Sequence, residues 1–240
     1  MASPNPASEA LIEGPLDFIT VKTTLPARPL PAHASRQPIL TPRLMIRPFT
    51  ESDINALRVL RTQPEVMSNT AAGRIDLDVA ETQAKLALSL PPNDAHTFNC
   101  AICLRDSGEF IGCGGCHVMI GEFGWPVLGY MFIKEHWGRG FATEFVTGFL
   151  AAWWALPREV YELQVDRGTV RVGEDGLAEE QYTAVTVDDN VASQRILTKT
   201  GFVKRRVYSE IDSADPKGEA IVTLLGFTKG RPKELPSPTS

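Results

Sequence analysis

The sequence predicts a mixed α/β domain, and three stretches predict it. Leu128 to Ala155 reads as a strand, a glycine turn and a helix: apolar and aromatic from Leu128 to Ile133, turning through Trp137-Gly138-Arg139-Gly140, then apolar every three or four residues at Phe141, Phe145, Phe149 and Ala152. Thr97–Leu104 and Phe110–Met119 read as two strands joined by the turn signal Asp106-Ser107-Gly108-Glu109. Thr183–Val187 is a β-branched strand, followed by a helix from Asn190 to Thr200 that Gly201 stops.

The remaining elements follow in order. Residues 1–37 are rich in Pro, Ala and Ser and read as a disordered or extended segment, with weak alternation over Phe18–Thr24. A single domain is expected over 38–229. Its first strand lies within Leu40–Phe49, and a helix follows to about Arg61, with Thr50 and Asp53 spaced as a capping pair. A second helix runs from Leu77 to Leu88, with Asp76 or Asp78 near its start, and Asn69–Ile75 is the connecting loop. The stretch 166–181 is polar, Gly- and Glu-rich, and reads as a partly disordered insertion. Strands are expected at Lys204–Ile211 and Glu219–Leu225, and 230–240 reads as a flexible tail.

Composition narrows the class. With 43% hydrophobic and 22% charged residues this is an ordinary globular composition, and the net charge of −5 argues against a general nucleic-acid binder, which needs a basic face. No apolar run approaches bilayer-spanning length. The N-terminus lacks the basic and apolar regions of an export signal, so a cytoplasmic location is expected. All four cysteines, Cys100, Cys103, Cys113 and Cys116, form two CxxC pairs, formally a zinc pattern. On strands, residues three apart face opposite sides, so buried free thiols are expected and no metal.

The turn at Gly138 and Gly140 carries the chemistry. The first amides of a helix have no intrahelical acceptor, and the helix dipole adds positive character there. Such a terminus binds phosphate, and Arg139 adds a full charge. An ordinary strand-to-helix turn accounts for the glycines equally well on their own. The wider run from Gly129-Tyr130 through Trp137-Gly138-Arg139-Gly140-Phe141-Ala142-Thr143-Glu144 resembles the acetyl-CoA signature of the GNAT superfamily of N-acetyltransferases, most closely its RimJ/RimL-like branch. Gly140 and Ala142 fit the signature, and Trp137 stands where Gln or Arg is usual. The opening Thr41-Pro42-Arg43-Leu44 resembles that branch too. Asn190-Val191-Ala192-Ser193 with Leu197, Gly201 and Phe202 resembles a second GNAT signature, although a capped helix alone explains the same residues.

The resemblance implies a GNAT fold: a mixed, mostly antiparallel twisted sheet with two central parallel strands, Leu128–Ile133 and Thr183–Val187, splayed to admit acetyl-CoA, and helices on both faces. It implies transfer of acetyl from acetyl-CoA to a primary amine, either a protein N-terminus or a small molecule. No direct nucleic-acid or membrane partner is expected, and the protein is expected to be a monomer or homodimer. Met131, Phe132 and Ile133 would meet pantetheine, with an amide near Met131 stabilising the oxyanion. Trp137, Gly138, Arg139, Gly140, Phe141, Ala142 and Thr143 would hold the diphosphate, and Asn190 would contact the coenzyme. Ser193 matches the branch's acid. The tyrosine that many relatives use is Leu197 here, and the frequent glutamate before Gly-Tyr is Val127. Glu122, Glu210 and Asp212 are candidate bases, and Tyr130 and Trp125 are candidate walls of the acceptor pocket. A catalytically weak module that binds coenzyme A or a partner protein is the alternative.

Overall fold

A computed structural model describes residues 11–173, 175–213, 215 and 217–233. The strands are β1 (Ile12–Glu13), β2 (Phe18–Pro26), β3 (Ile39–Leu40), β4 (Leu44–Pro48), β5 (Phe98–Leu104), β6 (Phe110–Val118), β7 (Val127–Phe132), β8 (Arg158–Asp166), β9 (Gln181–Val187), β10 (Val203–Ile211) and β11 (Ile221–Gly230). The helices are α1 (Ile54–Arg61), α2 (Pro64–Met67), α3 (Val79–Ala87), α4 (Phe141–Ala155) and α5 (Val191–Lys199).

Nine strands form one sheet in the order β1-β10-β11-β9-β7-β6-β5-β4-β3. Its pairs are antiparallel except β1 with β10 and β7 with β9. The β7–β9 pairing is confined to Val127 opposite Thr183, where the Thr183 amide donates to the Pro126 carbonyl at 2.8 Å. Beyond that point the two strands part, which opens a cleft in the middle of the sheet. This is the mixed sheet with splayed parallel strands that the family resemblance implies.

The two faces have separate cores. On one face α4 buries Phe141, Phe145, Phe149 and Trp153 with Leu128, Phe132 and Tyr182. The aromatic rings follow one another along the helix, with Phe145 and Phe149 centroids 5.6 Å apart and their planes tilted by 32°. On the other face α1 and α3 bury Leu57, Leu60 and Leu86 against Ala101, Cys103 and Cys113. Cys100 and Cys116 lie in the first core while Cys103 and Cys113 lie in the second, so strand alternation splits each CxxC pair across the sheet. All four are free thiols, and burial pushes Cys100, Cys113 and Cys116 up to about 12.

Helix starts follow the side chains that cap them. Asp53 accepts from the Thr50 amide at 2.8 Å and also holds Arg47. Asp78 caps α3 by accepting from the Glu81 amide at 2.9 Å. Asp76 instead turns inward, where it binds Arg61 at 2.7 Å and accepts from Thr82.

Two stretches are more ordered than a loose chain. Of the two expectations for the segment before residue 37, the described part takes the extended one: β2 pairs along its length with β8 in a second sheet, and Leu25 and Leu30 are buried. Arg36 lies over the Phe98 ring and donates to the Thr97 carbonyl at 3.0 Å. The stretch 166–181 is anchored at both ends rather than loose, because buried Asp166 faces Arg206 and buried Glu180 pairs with Arg158 at 2.8 Å. Residues 1–10 and 234–240, parts of the expected N-terminal segment and tail, lie outside the described residues.

Candidate functional site

The site begins where β7 ends. After Phe132 a short 3-10 turn, Lys134–His136, leads into the glycine turn. Gly138 and Gly140 have φ of 72° and 81°, the left-handed region that costs an L side chain about 1–2 kcal/mol. A Cβ at Gly138 would meet nothing within 4 Å, so its glycine is needed for conformation and leaves open space outside. Gly140 is the N-cap of α4 and supplies no side-chain cap. Among the described residues, no acceptor receives the amides of Gly138, Arg139, Gly140, Phe141, Ala142 or Thr143. The first amide of this run to be bonded is that of Glu144, which donates to the Gly140 carbonyl at 3.1 Å. These donors converge on an exposed surface at the positive end of a fifteen-residue helix.

The terminus is held by the loop before β4. Glu144 accepts from Thr41 Oγ at 2.6 Å and from the Arg43 amide at 2.8 Å, and pairs with the Arg43 guanidinium at 2.6 Å. Burial pushes the Glu144 carboxyl up, but these hydrogen bonds outweigh it and hold the group below its ordinary value. Arg43 also lies over the Phe141 ring at 4.5 Å and donates to the Arg139 carbonyl at 3.0 Å. It thus brings a cation to the glycine turn beside the exposed Arg139. Sequence reasoning took Arg43 only as part of an opening pattern. The Trp137 indole donates to the Phe132 carbonyl at 2.7 Å, so its polar atom closes the turn.

The central strand corrects one expectation. Ile133 donates its amide to Ile111 on β6 at 2.9 Å, and β6–β7 register sets Met131 opposite Cys113. Antiparallel bonding alternates, so Met131 and Ile133 spend their backbone groups on β6. Leu128, Tyr130 and Phe132 are the residues whose amides and carbonyls face the cleft. The Met131 amide is therefore bonded to β6, and the open backbone groups near it belong to its neighbours Tyr130 and Phe132. The side chains of Met131 and Ile133 pack on the α1–α3 face.

Across the cleft stands α5. Asn190 caps it by accepting from the Ser193 amide at 3.0 Å. Ser193 Oγ lies 2.9 Å from the Tyr130 hydroxyl, which joins the second motif to the central strand. Burial pushes the Tyr130 phenol up to about 12, against the pull of Ser193, so it stays protonated and available as a donor. Leu197 is in the core at 1% exposure. Gly201 ends the helix with φ of 83°, and Phe202 packs back into the core.

Glu210 and Asp212 do not join this pair. They lie at and beyond the end of β10, and β11 and β9 stand between β10 and β7, so at about 4.8 Å per strand the central strand is about 14 Å away. The turn they lead into reaches the loop 69–75 instead, where Ser213 Oγ donates to the Ala71 carbonyl at 2.9 Å. Trp125 is also no pocket wall. It is fully buried with Leu25, Phe123, Leu163 and Val165 beneath β2 and β8, and its indole donates to Thr169 at 2.8 Å. His136 contacts Glu109 at 3.2 Å, and Glu135 accepts from Gln63 at 2.9 Å.

A helix terminus with bare amides, set beside an open strand edge, suits a long anionic ligand whose diphosphate and amide-bearing arm need both. Residues 43–203 match the acetyltransferase (GNAT) domain family, and the chain belongs to that family of acetyltransferases. An uncharacterized N-acetyltransferase, YoaA, of Bacillus subtilis (strain 168) is 28% identical over 176 residues, covering 71% of this chain and 85% of that protein. The GNAT-family acetyltransferase of Bacillus anthracis shares the fold with a TM-score of 0.60 at 17% identity, over 81% of this chain and 99% of that one. A spermidine N-acetyltransferase of Vibrio cholerae, solved with coenzyme A and spermine, has a TM-score of 0.57 at 13% identity, over 80% and 97%. No helix among the described residues is long and apolar enough to cross a membrane.

Proposed function

We propose that this chain is an acetyl-CoA-dependent N-acetyltransferase, acting in a ternary complex on a primary amine. The amine is a protein N-terminus, as the RimJ/RimL-like motifs suggest, or a small polyamine or aminoglycoside. The reading rests on one observation above all: the unpartnered amides of Gly138 to Thr143 at an uncapped helix start beside the open edge of β7. Bound acetyl-CoA would supply the activated thioester.

The chain's own residues supply the rest. The amides of Gly138, Arg139, Gly140, Phe141, Ala142 and Thr143 bind the diphosphate, with Arg139 and Arg43 beside it and Trp137 bracing the turn. Leu128, Tyr130 and Phe132 offer backbone groups to the pantetheine arm as an added strand would be met, and one of their amides stabilises the oxyanion. Met131 and Ile133 line the opposite face with their side chains. Asn190 fixes the start of α5, and Ser193 gives a proton to the departing sulfur, backed by Tyr130. The four reduced thiols fit a cytoplasmic setting.

A second reading, a coenzyme-binding module with weak turnover, draws on Val127 and Leu197, both apolar and buried, where the resemblance to the GNAT signatures leads one to expect a glutamate and a tyrosine. One experiment separates the two. Calorimetry with acetyl-CoA is followed by thiol release on addition of Ser- and Ala-starting peptides, spermidine and an aminoglycoside. Binding with amine-dependent thiol release supports the transferase. Binding without release supports the module, and no binding sinks both.

A further inference from the structure

The site lacks a named acceptor for the amine's proton. Position 127 on the central strand is apolar and buried, and Glu210 and Asp212 sit strands away. One titratable side chain of the neighbouring β6 packs against the central strand. In the β6–β7 ladder Cys116 pairs with Leu128 and Val118 with Val127, so His117 is an extra, bulged residue between two paired ones. Such bulges re-aim a side chain. This one turns the imidazole onto Gly129, where an added Cβ would come within 2.8 Å of both Cε1 and Nδ1. Gly129 thus leaves the space that the ring fills.

The position is specific. Residues 129 and 130 are neighbours on β7 and face opposite sides of the sheet. His117 covers Gly129 on the face where Met131 meets α1 and α3, while Tyr130 reaches Ser193 from the other side. A base and an acid therefore flank the same strand, one residue apart, at the place where β7 and β9 separate.

We propose that His117 is the general base for the acceptor amine, an assignment that rests on the acetyl-transfer reading above. The ammonium gives one proton to the imidazole. The freed amine nitrogen forms a bond to the thioester carbonyl carbon, and the carbon–sulfur bond breaks. The sulfur takes a proton from Ser193, the hydroxyl recovers one from the nitrogen through Tyr130 and solvent, and the imidazolium releases its proton to water. The products are the acetamide, the free thiol and one proton.

The electrostatics suit a base that is neutral before reaction. Desolvation lowers the His117 pKa from the ordinary 6.5, while the Glu122 carboxylate and the Gly115 carbonyl pull it partly back. Glu122 is the charged group acting on the ring. Glu122 acts in turn on Tyr208 of β10, as does Glu210.

The test compares wild type, H117Q and H117A in thiol release from acetyl-CoA with the same peptides and spermidine, from pH 5 to 9. H117Q should bind acetyl-CoA with wild-type affinity, turn over about 100-fold more slowly, and lose the rise in kcat/KM that the wild type shows as the imidazole deprotonates below 6.5. Added imidazole should restore part of the rate in H117A, which a purely structural role would not allow. A wild-type rate and pH profile in H117Q, or no rescue of H117A, overturns the assignment alone. A wild type that releases no thiol with any of these amines overturns the acetyl-transfer reading and this base with it.

Discussion

Two helices start at the cleft, and their first turns are opposites. α5 opens on Asn190, whose side chain accepts from the Ser193 amide at 3.0 Å, so an orphan donor is satisfied within the protein. α4 opens on Gly140, which has no side chain to offer, and the amides from Gly138 to Thr143 are left without an acceptor. A glycine at an N-cap gives up only a few tenths of a kcal/mol against Ser, Asp or Asn, and the φ of 81° at Gly140 favours glycine over them. The missing side-chain cap therefore costs little and leaves the amides open where an anionic ligand gains most. The capped helix has the complementary use: with its backbone settled, it can hold the Ser193 side chain toward Tyr130.

The sharpest way to break this contrast is to fill the uncapped end. G140E adds a carboxylate where the diphosphate belongs and puts a side chain at φ of 81°. Acetyl-CoA affinity should fall by roughly 100-fold or more, the worth of a few charge-assisted hydrogen bonds, while the protein remains folded by circular dichroism. Calorimetry reads this directly. At the capped end, S193A should lower turnover by about 100-fold while leaving coenzyme affinity within about twofold, since it removes the acid and no phosphate contact. Y130F should have a smaller effect of the same kind, because it removes only the hydroxyl that backs Ser193.

Removing the cap itself is milder. N190A should cost about 1 kcal/mol of stability in urea unfolding, with some loss of turnover as Ser193 loosens. E144Q tests the clamp on the other helix. The folded-state pKa of Glu144 is depressed, so its contribution is complete above the unfolded value near 4.5 and fades as pH falls through the lower folded value. The stability gap between wild type and E144Q should therefore be about 1 kcal/mol at neutral pH and vanish in acid. A gap that widens in acid would contradict the assignment.

The contrast between the two termini was legible in the sequence because it is local. Glycines, the asparagine and the helical spacing of Phe141, Phe145 and Phe149 lie within a few residues of one another. What escaped sequence reasoning depends on distant partners. β8 carries the alternation Tyr161, Leu163, Val165, but its partner β2 lies far upstream, with Phe18 opposite Asp166. Without that pairing the polar residues around it resemble a linker. Which residues of β7 face the cleft was also out of reach. Alternation says that Met131 and Phe132 differ, yet only the pairing with β6 tells which of them is spent. His117 was hidden for the same reason, since a bulge exists only relative to the strand opposite.

The bare amides can be read one by one in resonances of the 15N-labelled protein titrated with acetyl-CoA. The largest shifts and new exchange protection are expected at Gly138 to Thr143, with weaker changes at Leu128, Tyr130 and Phe132. Saturable binding that leaves 138–143 unmoved and instead shifts the basic surface around Arg171, Lys229 and Arg231 would contradict the assignment of the diphosphate to the bare amides.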